Sequence, residues 1–181
     1  MTGIIRFLGI LNAAIWLGGS VYFTFVAGQL PFAPETKALL GRLGQEPGAY
    51  LGGMIAQIGI SRFFSFQLVC ACVALLLLGA EWLYQERKGR KFLLGLLGAL
   101  LLLTLTGDYW LRPKLNEFFK IKYATNYPTV KRQEAARAFA IWHGVSMTVN
   151  LFMLGGLAIY LWHMSRPPES PRFVRPQQIR G

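Results

Sequence analysis

Four ionisable side chains that could do chemistry stand at the edges of otherwise apolar stretches. Asp108 and Arg112 lie four residues apart at the end of one stretch, Arg62 precedes another, and His143 opens the last. A carboxylate near lipid needs a cation or a hydrogen-bond donor, and a histidine beside a carboxylate could relay protons. We predict that the four side chains meet just inside one membrane interface. Such a cluster could be a proton or ion pathway, a lipid or small-ligand site, or only a structural ion pair.

A polar stripe continues along the last apolar stretch. His143, Ser146 and Asn150 lie at positions i, i+3 and i+7, so they share one face of a helix. Polar groups in a membrane helix face other helices or a wet cavity. We therefore expect His143 and Asn150 to face the interior of a helix bundle. No catalytic residue is assigned, because the sequence contains no nucleophile–base pair, phosphate loop or dinucleotide fingerprint.

The histidines and cysteines do not predict a metal or haem site. His143 and His163 are 20 residues apart, which is about 30 Å along a helix that rises about 1.5 Å per residue. Cys70 and Cys72 point to nearly opposite sides of their helix, so they form neither a shared metal site nor a disulfide. We expect neither a metal nor another cofactor.

Composition places the chain in a membrane. Of its 181 residues, 54% are hydrophobic and only 15% are charged, and the mean hydropathy is +0.39. Soluble domains are typically about 25% charged. The net charge of +11 comes from basic residues between apolar stretches, where they orient helices and contact anionic lipid head groups. That arrangement argues against nucleic-acid binding.

Four apolar stretches are long enough to cross a bilayer, which takes about 20 apolar residues. They cover about residues 4–27, 63–84, 92–111 and 139–161. We predict an all-α integral membrane four-helix bundle, with up-down-up-down topology, over residues 1–165. Residues 166–181 are rich in proline and arginine and are expected to form an extended tail.

Two connections are longer than simple turns. Residues 29–61 contain three prolines, and their later part predicts a short helix on the membrane or an extension of the second span. Pro113 is expected to stop or kink the third helix. Residues 114–137 then predict an interfacial helix, a turn at Asn126–Pro128 and the start of the fourth span.

One face of the first span predicts close helix packing. It carries Asn12, Trp16 and Gly19. Gly9 and Ala13 form a pair of small residues four apart, which lets helix backbones approach closely. We expect this face to lie against neighbouring helices.

The basic residues also predict an orientation. The two sides of the membrane carry similar totals, but the loop around Arg87–Lys91 is the shortest and the most densely charged. Such loops are retained in the cytoplasm. We expect both termini in the cytoplasm and, if the organism is bacterial, an inner-membrane location.

Two motifs resemble a known family. The first is Trp-Leu-Gly-Gly-Ser-Val-Tyr-Phe at Trp16–Phe23, and the second is Trp-His-Gly-Val-Ser-Met at Trp142–Met147, preceded by Phe139 and followed by Asn150. Together they resemble the small transmembrane-protein-205-like proteins over about residues 4–161. Bacterial members of that family carry a domain of unknown function of this length. The resemblance implies a four-helix membrane fold and no mechanism.

Three functions remain open. The chain could be an accessory or binding subunit that packs in a larger membrane assembly or a homo-oligomer. The long aromatic and basic connection and the Pro/Arg tail favour that hypothesis, because both could dock on a partner. Alternatively, it could be a small transporter or channel element with Arg62, Asp108 and His143 along a polar path. The third hypothesis is a membrane redox protein.

Overall fold

The computed structural model describes residues 2–84 and 90–166, and all regular structure in these two ranges is helical. The α-helices are α1 (Thr2–Tyr22), α2 (Pro34–Gly41), α3 (Gln45–Tyr84), α4 (Arg90–Thr106), α5 (Arg112–Tyr123) and α6 (Thr129–Ser165). Two π-helical segments, Phe23–Ala27 and Gly107–Leu111, continue α1 and α4, and Leu30–Phe32 form a 3-10 turn. Gly44, with a φ of 101°, makes the turn into α3.

Four helical stretches are long and apolar enough to cross a membrane. They are Gly3–Gly41, Gln45–Glu81, Lys91–Tyr123 and Thr129–Ser165. The prediction of an all-α membrane protein with four spanning helices is therefore confirmed. Arg87 to Gly89 of the predicted basic loop, and the tail after Arg166, lie outside the described residues.

The core of the bundle is formed by large side chains from all four spans. Trp16 of α1, Leu97 and Leu100 of α4, and Leu157 and Tyr160 of α6 are almost completely buried against residues of α3. In lipid, association between helices rests on close packing and interhelical hydrogen bonds rather than on burial from water. The core therefore depends on how well these shapes fit.

The first span lies closely against two neighbours. The Nδ2 of Asn12 donates to the carbonyl of Cys70 at 3.0 Å, and a Cβ on Gly19 would lie 2.6 Å from the Phe66 ring. Because residue numbers rise in α1 as they fall in α3, the two helices are antiparallel. On the other side, a Cβ on Gly9 would lie 2.7 Å from Met164 of α6. A larger residue at either glycine would require the Met164 methyl group or the Phe66 ring to shift.

The spanning stretches are longer than a bilayer, and the excess lies at one end of the bundle. At the opposite end, Arg6 donates to the carbonyls of Ser165 and Arg166, and the Phe92 and His163 rings are 4.8 Å apart. The ends of α1, α4 and α6 therefore lie at a similar height along the bundle axis. A helix of 37 residues is about 55 Å long, whereas the hydrocarbon core is about 30 Å thick.

The part beyond the predicted spans is here called the headpiece. It consists of α2, α5, residues 45–61 of α3 and residues 129–138 of α6. The later part of residues 29–61 was expected to be either a short helix on the membrane or an extension of the second span. It is the extension, because α3 already begins at Gln45. The fourth helix likewise begins at Thr129, ten residues before the predicted span. Hydropathy marks only the part of a helix that crosses lipid, so it understates helix length.

Pro113 does not stop the third helix, contrary to one of the two expected outcomes. The chain widens into the π-helical segment Gly107–Leu111, and Pro113 then lies in the first turn of α5. The helical stretch continues through Pro113 to Tyr123. The predicted turn is present, because residues 124–128 separate α5 from α6.

Candidate functional site

Asp108 and Arg112 form an ion pair where the third span enters the headpiece. The Nε of Arg112 lies 3.1 Å from the Oδ1 of Asp108, and the side chains are 37% and 28% exposed, respectively. That oxygen is buried and accepts no hydrogen bond, so the contact is a charge pair without good N–H alignment. Asp108 belongs to the π-helical segment, whose wider turn shifts the faces of the residues that follow it.

Arg112 also connects its helix to α3. Its Nη1 donates a hydrogen bond to the Oγ of Ser61 at 2.6 Å. Beside this bond lies a half-open cavity of about 210 Å³ lined by Gln57, Arg112, Pro113 and Asn116. The Oδ1 of Asn116 is buried there without a hydrogen-bond partner. The cavity is therefore lined by a cation, and an unpaired acceptor is buried in one of its lining residues.

We call this arrangement the polar seam. Its members are Gln57 and Ser61 of α3, Asp108 of the π-helical segment, and Arg112 and Asn116 of α5. Residues four apart lie above one another on a helix, which aligns both sets along the contact between the two helices. The seam holds one cation and one anion, so its formal charge is zero.

Aromatic residues beside the seam are of the types that are enriched at head-group depth. The Trp110 and Trp142 rings meet edge to face at 5.3 Å. The Nζ of Lys114 lies 3.8 Å from the centre of the Trp142 ring and 5.2 Å from that of Trp110. Tryptophan and lysine are typical of the membrane–water interface, and Trp110 and Lys114 are within one turn of Asp108 and Arg112.

Two predicted members of the cluster lie elsewhere. Arg62 is exposed, and among the described residues it has no ion pair or hydrogen bond. His143 is also exposed and stacks on Phe139 of its own helix at 5.8 Å. The expectation that His143 faces the bundle interior is therefore wrong. His143 lies two heptads before the buried Leu157 and therefore on nearly the same face of α6, but at the level of His143 that face is exposed.

Asn150 and Ser146 do not join the seam either. The Nδ2 of Asn150 donates to the Oγ1 of Thr24 at 2.8 Å, and Thr24 donates to the carbonyl of Ser20 at 2.7 Å. Asn150 thus faces the π-helical continuation of α1, as expected for an inward position. Ser146 is half-buried, and no hydrogen bond of its side chain is seen within the described ranges.

Sequence reasoning missed a second polar layer inside the bundle. Ser20, Gln67 and Thr104 are buried, and the Oγ1 of Thr104 lies 3.5 Å from the Oε1 of Gln67. The Oγ of Ser20 and the Nε1 of Trp16 are buried without hydrogen-bond partners. One signal was available: Thr104 begins the series spaced by four that continues through Asp108 and Arg112.

The seam residues missed by sequence reasoning also carried a signal. Asn116 extends the Asp108–Arg112 spacing by another four residues, and Gln57 and Ser61 are themselves four apart. Their pairing depends on the register between α3 and α5, which no pattern within one helix shows. Between residues 2–84 and 90–166, no group of three or more His, Cys, Asp or Glu could hold a metal ion.

Comparison with known proteins identifies a family. A search of curated proteins found no match, and neither did a search of solved structures. One family model, described as a domain of unknown function (DUF4149), matches residues 11–124. The matched region is more than half of the chain and contains all five residues of the polar seam. The chain therefore belongs to the DUF4149 family of domains of unknown function.

Proposed function

We propose that this membrane protein is an accessory subunit that docks an acidic partner protein through the α5–α6 hairpin of its headpiece. The observation that carries the proposal is the charge of this hairpin, which projects beyond the apolar spans. Without Arg112, which is paired with Asp108, residues 113–141 contain six basic and two acidic residues. Complementary charge steers partners together and fixes their register more than it adds affinity.

Aromatic contacts give the hairpin a defined surface. The Nζ of Lys131 lies 4.6 Å from the centre of the Tyr127 ring. The Nζ of Lys122 lies 5.0 Å from the Tyr123 ring and 5.8 Å from the Phe139 ring. Cation–π contacts hold such lysines and rings together, and aromatic residues are enriched in protein interfaces. The hairpin thus combines ordered aromatic anchors with positive charge.

Site-specific photo-crosslinking in native membranes tests the proposal. A photoreactive residue at Val130, which is 68% exposed in the hairpin, is expected to give a discrete protein adduct. The matched control is Leu76, which is 73% exposed within the second span and is expected to react with lipid. Adducts would be identified by mass spectrometry.

A charge reversal strengthens this test. Lys131→Glu is expected to reduce the adduct at Val130, whereas Lys37→Glu in α2 should leave it unchanged. If Val130 reacts only with lipid, the hairpin rests on head groups and the docking proposal fails. A protein adduct that both reversals leave equally strong would show that the charge of the hairpin does not select the partner.

The transport hypothesis has less support. It needs Arg62, Asp108 and His143 along one path, but Arg62 and His143 are exposed on the outside of the bundle.

We further propose the inner membrane as the location, with cytoplasmic termini and the headpiece on the opposite side. Kinship with the transmembrane-protein-205-like proteins is part of the same proposal and is supported by the two tryptophan motifs.

A further inference from the structure

We infer that the polar seam binds the head group of a zwitterionic phospholipid with a primary ammonium, of the phosphatidylethanolamine class. The phosphate would lie on Arg112 and the ammonium beside Asn116. This inference does not depend on partner docking, because it rests on the side of α5 that faces α3 and not on the lysines and tyrosines of the proposed docking surface. It rests on the N–H donors of Arg112, the unpaired acceptor of Asn116, the net charge of the seam and the depth of the seam in the membrane.

Arg112 supplies the donors for a phosphate. Its guanidinium has five N–H groups. One donates to Ser61, and the Nε side faces Asp108. The remaining N–H groups have no partner among the described residues, and Arg112 lines the cavity. A guanidinium with two parallel N–H groups suits a phosphate, which accepts both at once.

Asn116 supplies the acceptor for an ammonium. Its Oδ1 is buried without a donor, and the half-buried amide of Gln57 lines the same cavity. Buried acceptors are normally satisfied, so the vacant acceptor indicates a donor from outside the chain. Arg112 and Asn116 are one helical turn apart on α5, and both line the cavity.

Charge and depth select a lipid of this class. Asp108 and Arg112 cancel, so the seam suits a head group with no net charge better than an anion. The half-open cavity of about 210 Å³ is of head-group size and leaves the acyl chains outside. Trp110 and Trp142 mark the interface at the same level. The phosphate of a neighbouring lipid lies at that depth.

Comparison of two lipids with equal charge tests the inference. Phosphatidylcholine carries the same phosphate and net charge, but its quaternary ammonium has no N–H. The full-length protein would be delipidated in detergent and titrated with short-chain phosphatidylethanolamine, phosphatidylcholine and phosphatidylglycerol. Bound lipid is measured by native mass spectrometry, and the unfolding midpoint is measured in parallel. We expect phosphatidylethanolamine to bind about tenfold more tightly than either of the others.

Variants separate the seam from general lipid binding. Asn116→Leu should abolish the preference for phosphatidylethanolamine over phosphatidylcholine. Asn126→Leu, in the exposed turn, should keep it. Arg112→Gln should weaken both lipids, because both lose the phosphate contact. Should Asn116→Leu fail to fold, Gln57→Met replaces it, and circular dichroism verifies the helix content of every variant.

Free phosphoethanolamine identifies the source of the head group. If it competes with the short-chain lipid only weakly, the ligand is a membrane lipid, as inferred. If it binds alone with equal affinity, the site takes a soluble zwitterion and the lipid assignment is overturned. Equal binding of the three lipids, or an unchanged preference in Asn116→Leu, would overturn the inference altogether.

Discussion

Removal of Arg112 should destabilise the protein mainly through its hydrogen bond to Ser61, not through its ion pair with Asp108. The ion pair spans one helical turn, and its side chains are 37% and 28% exposed. Exposed pairs at this spacing contribute about 0.3–0.5 kcal/mol. A hydrogen bond to a charged group contributes about 1.5–3 kcal/mol. Since the Ser61 bond is only partly buried, we take the lower end of that range.

A pair of double-mutant cycles measures both contacts. We expect a coupling energy of about 1.5 kcal/mol between Ser61→Ala and Arg112→Ala, and about 0.5 kcal/mol between Asp108→Ala and Arg112→Ala. Asp108→Ala alone should then cost well under the roughly 3–5 kcal/mol typical of a broken buried ion pair. Reversible unfolding in mixed micelles, followed by circular dichroism, gives the four free energies of each cycle.

Two results would refute this reasoning. A larger coupling for Asp108 than for Ser61 would mean that the ion pair is effectively buried in the membrane. Additive losses in both cycles would mean that Arg112 acts through neither contact. Arg137→Ala, at an exposed position of α6, provides the control for the loss of a positive charge.

Three further predictions concern packing, hydrogen bonding and orientation. Gly53→Ala should destabilise the headpiece by about 1–3 kcal/mol, because the new Cβ would meet the buried Phe119 ring. Gly79→Ala in the same helix places its Cβ in open space and should leave the stability unchanged. The unfolding curves of the two variants measure this difference. Asn150→Ala should lower the free energy of unfolding by about 0.6 kcal/mol and at most about 1.7 kcal/mol. In a Thr24→Val background, where the acceptor is already absent, Asn150→Ala should cause no further loss. A reporter that is active only outside the cytoplasm should be inactive when fused to the C-terminus, and activity there would reverse the predicted orientation.

Local patterns predicted the spans and the pairing of neighbouring residues on one helix. Hydropathy identified four membrane-spanning helices, because charged residues are costly in lipid and are therefore rare within such helices. The contact between Asp108 and Arg112 follows from their spacing alone. The fully buried Trp16 and the close approach at Gly19 lie on the face that was expected to pack.

Contacts between helices could not be predicted from these patterns. His143 and Asn150 lie seven residues apart on nearly the same face of α6, but that face is half-buried at Asn150 and exposed at His143, which depends on where the neighbouring helices lie. The π-helical segment Gly107–Leu111 changes the phase of the third helix, which a regular period of 3.6 does not anticipate. Gln57 and Ser61 were not linked to Arg112, because 51 residues separate Ser61 from it and only tertiary packing sets their register.

The length of α3 and α6 has a mechanical consequence. Each is a single unbroken helix, of 40 and 37 residues, respectively, that runs from the headpiece through the membrane-spanning part of the bundle. A helix of 40 residues is about 60 Å long, and neither helix has a loop at the membrane surface to absorb strain. The two helices therefore act as stiff rods, so a partner that tilts or turns the headpiece must also tilt or turn the same rods within the bilayer. Binding on one side of the membrane would in this way be transmitted to the residues near the other side.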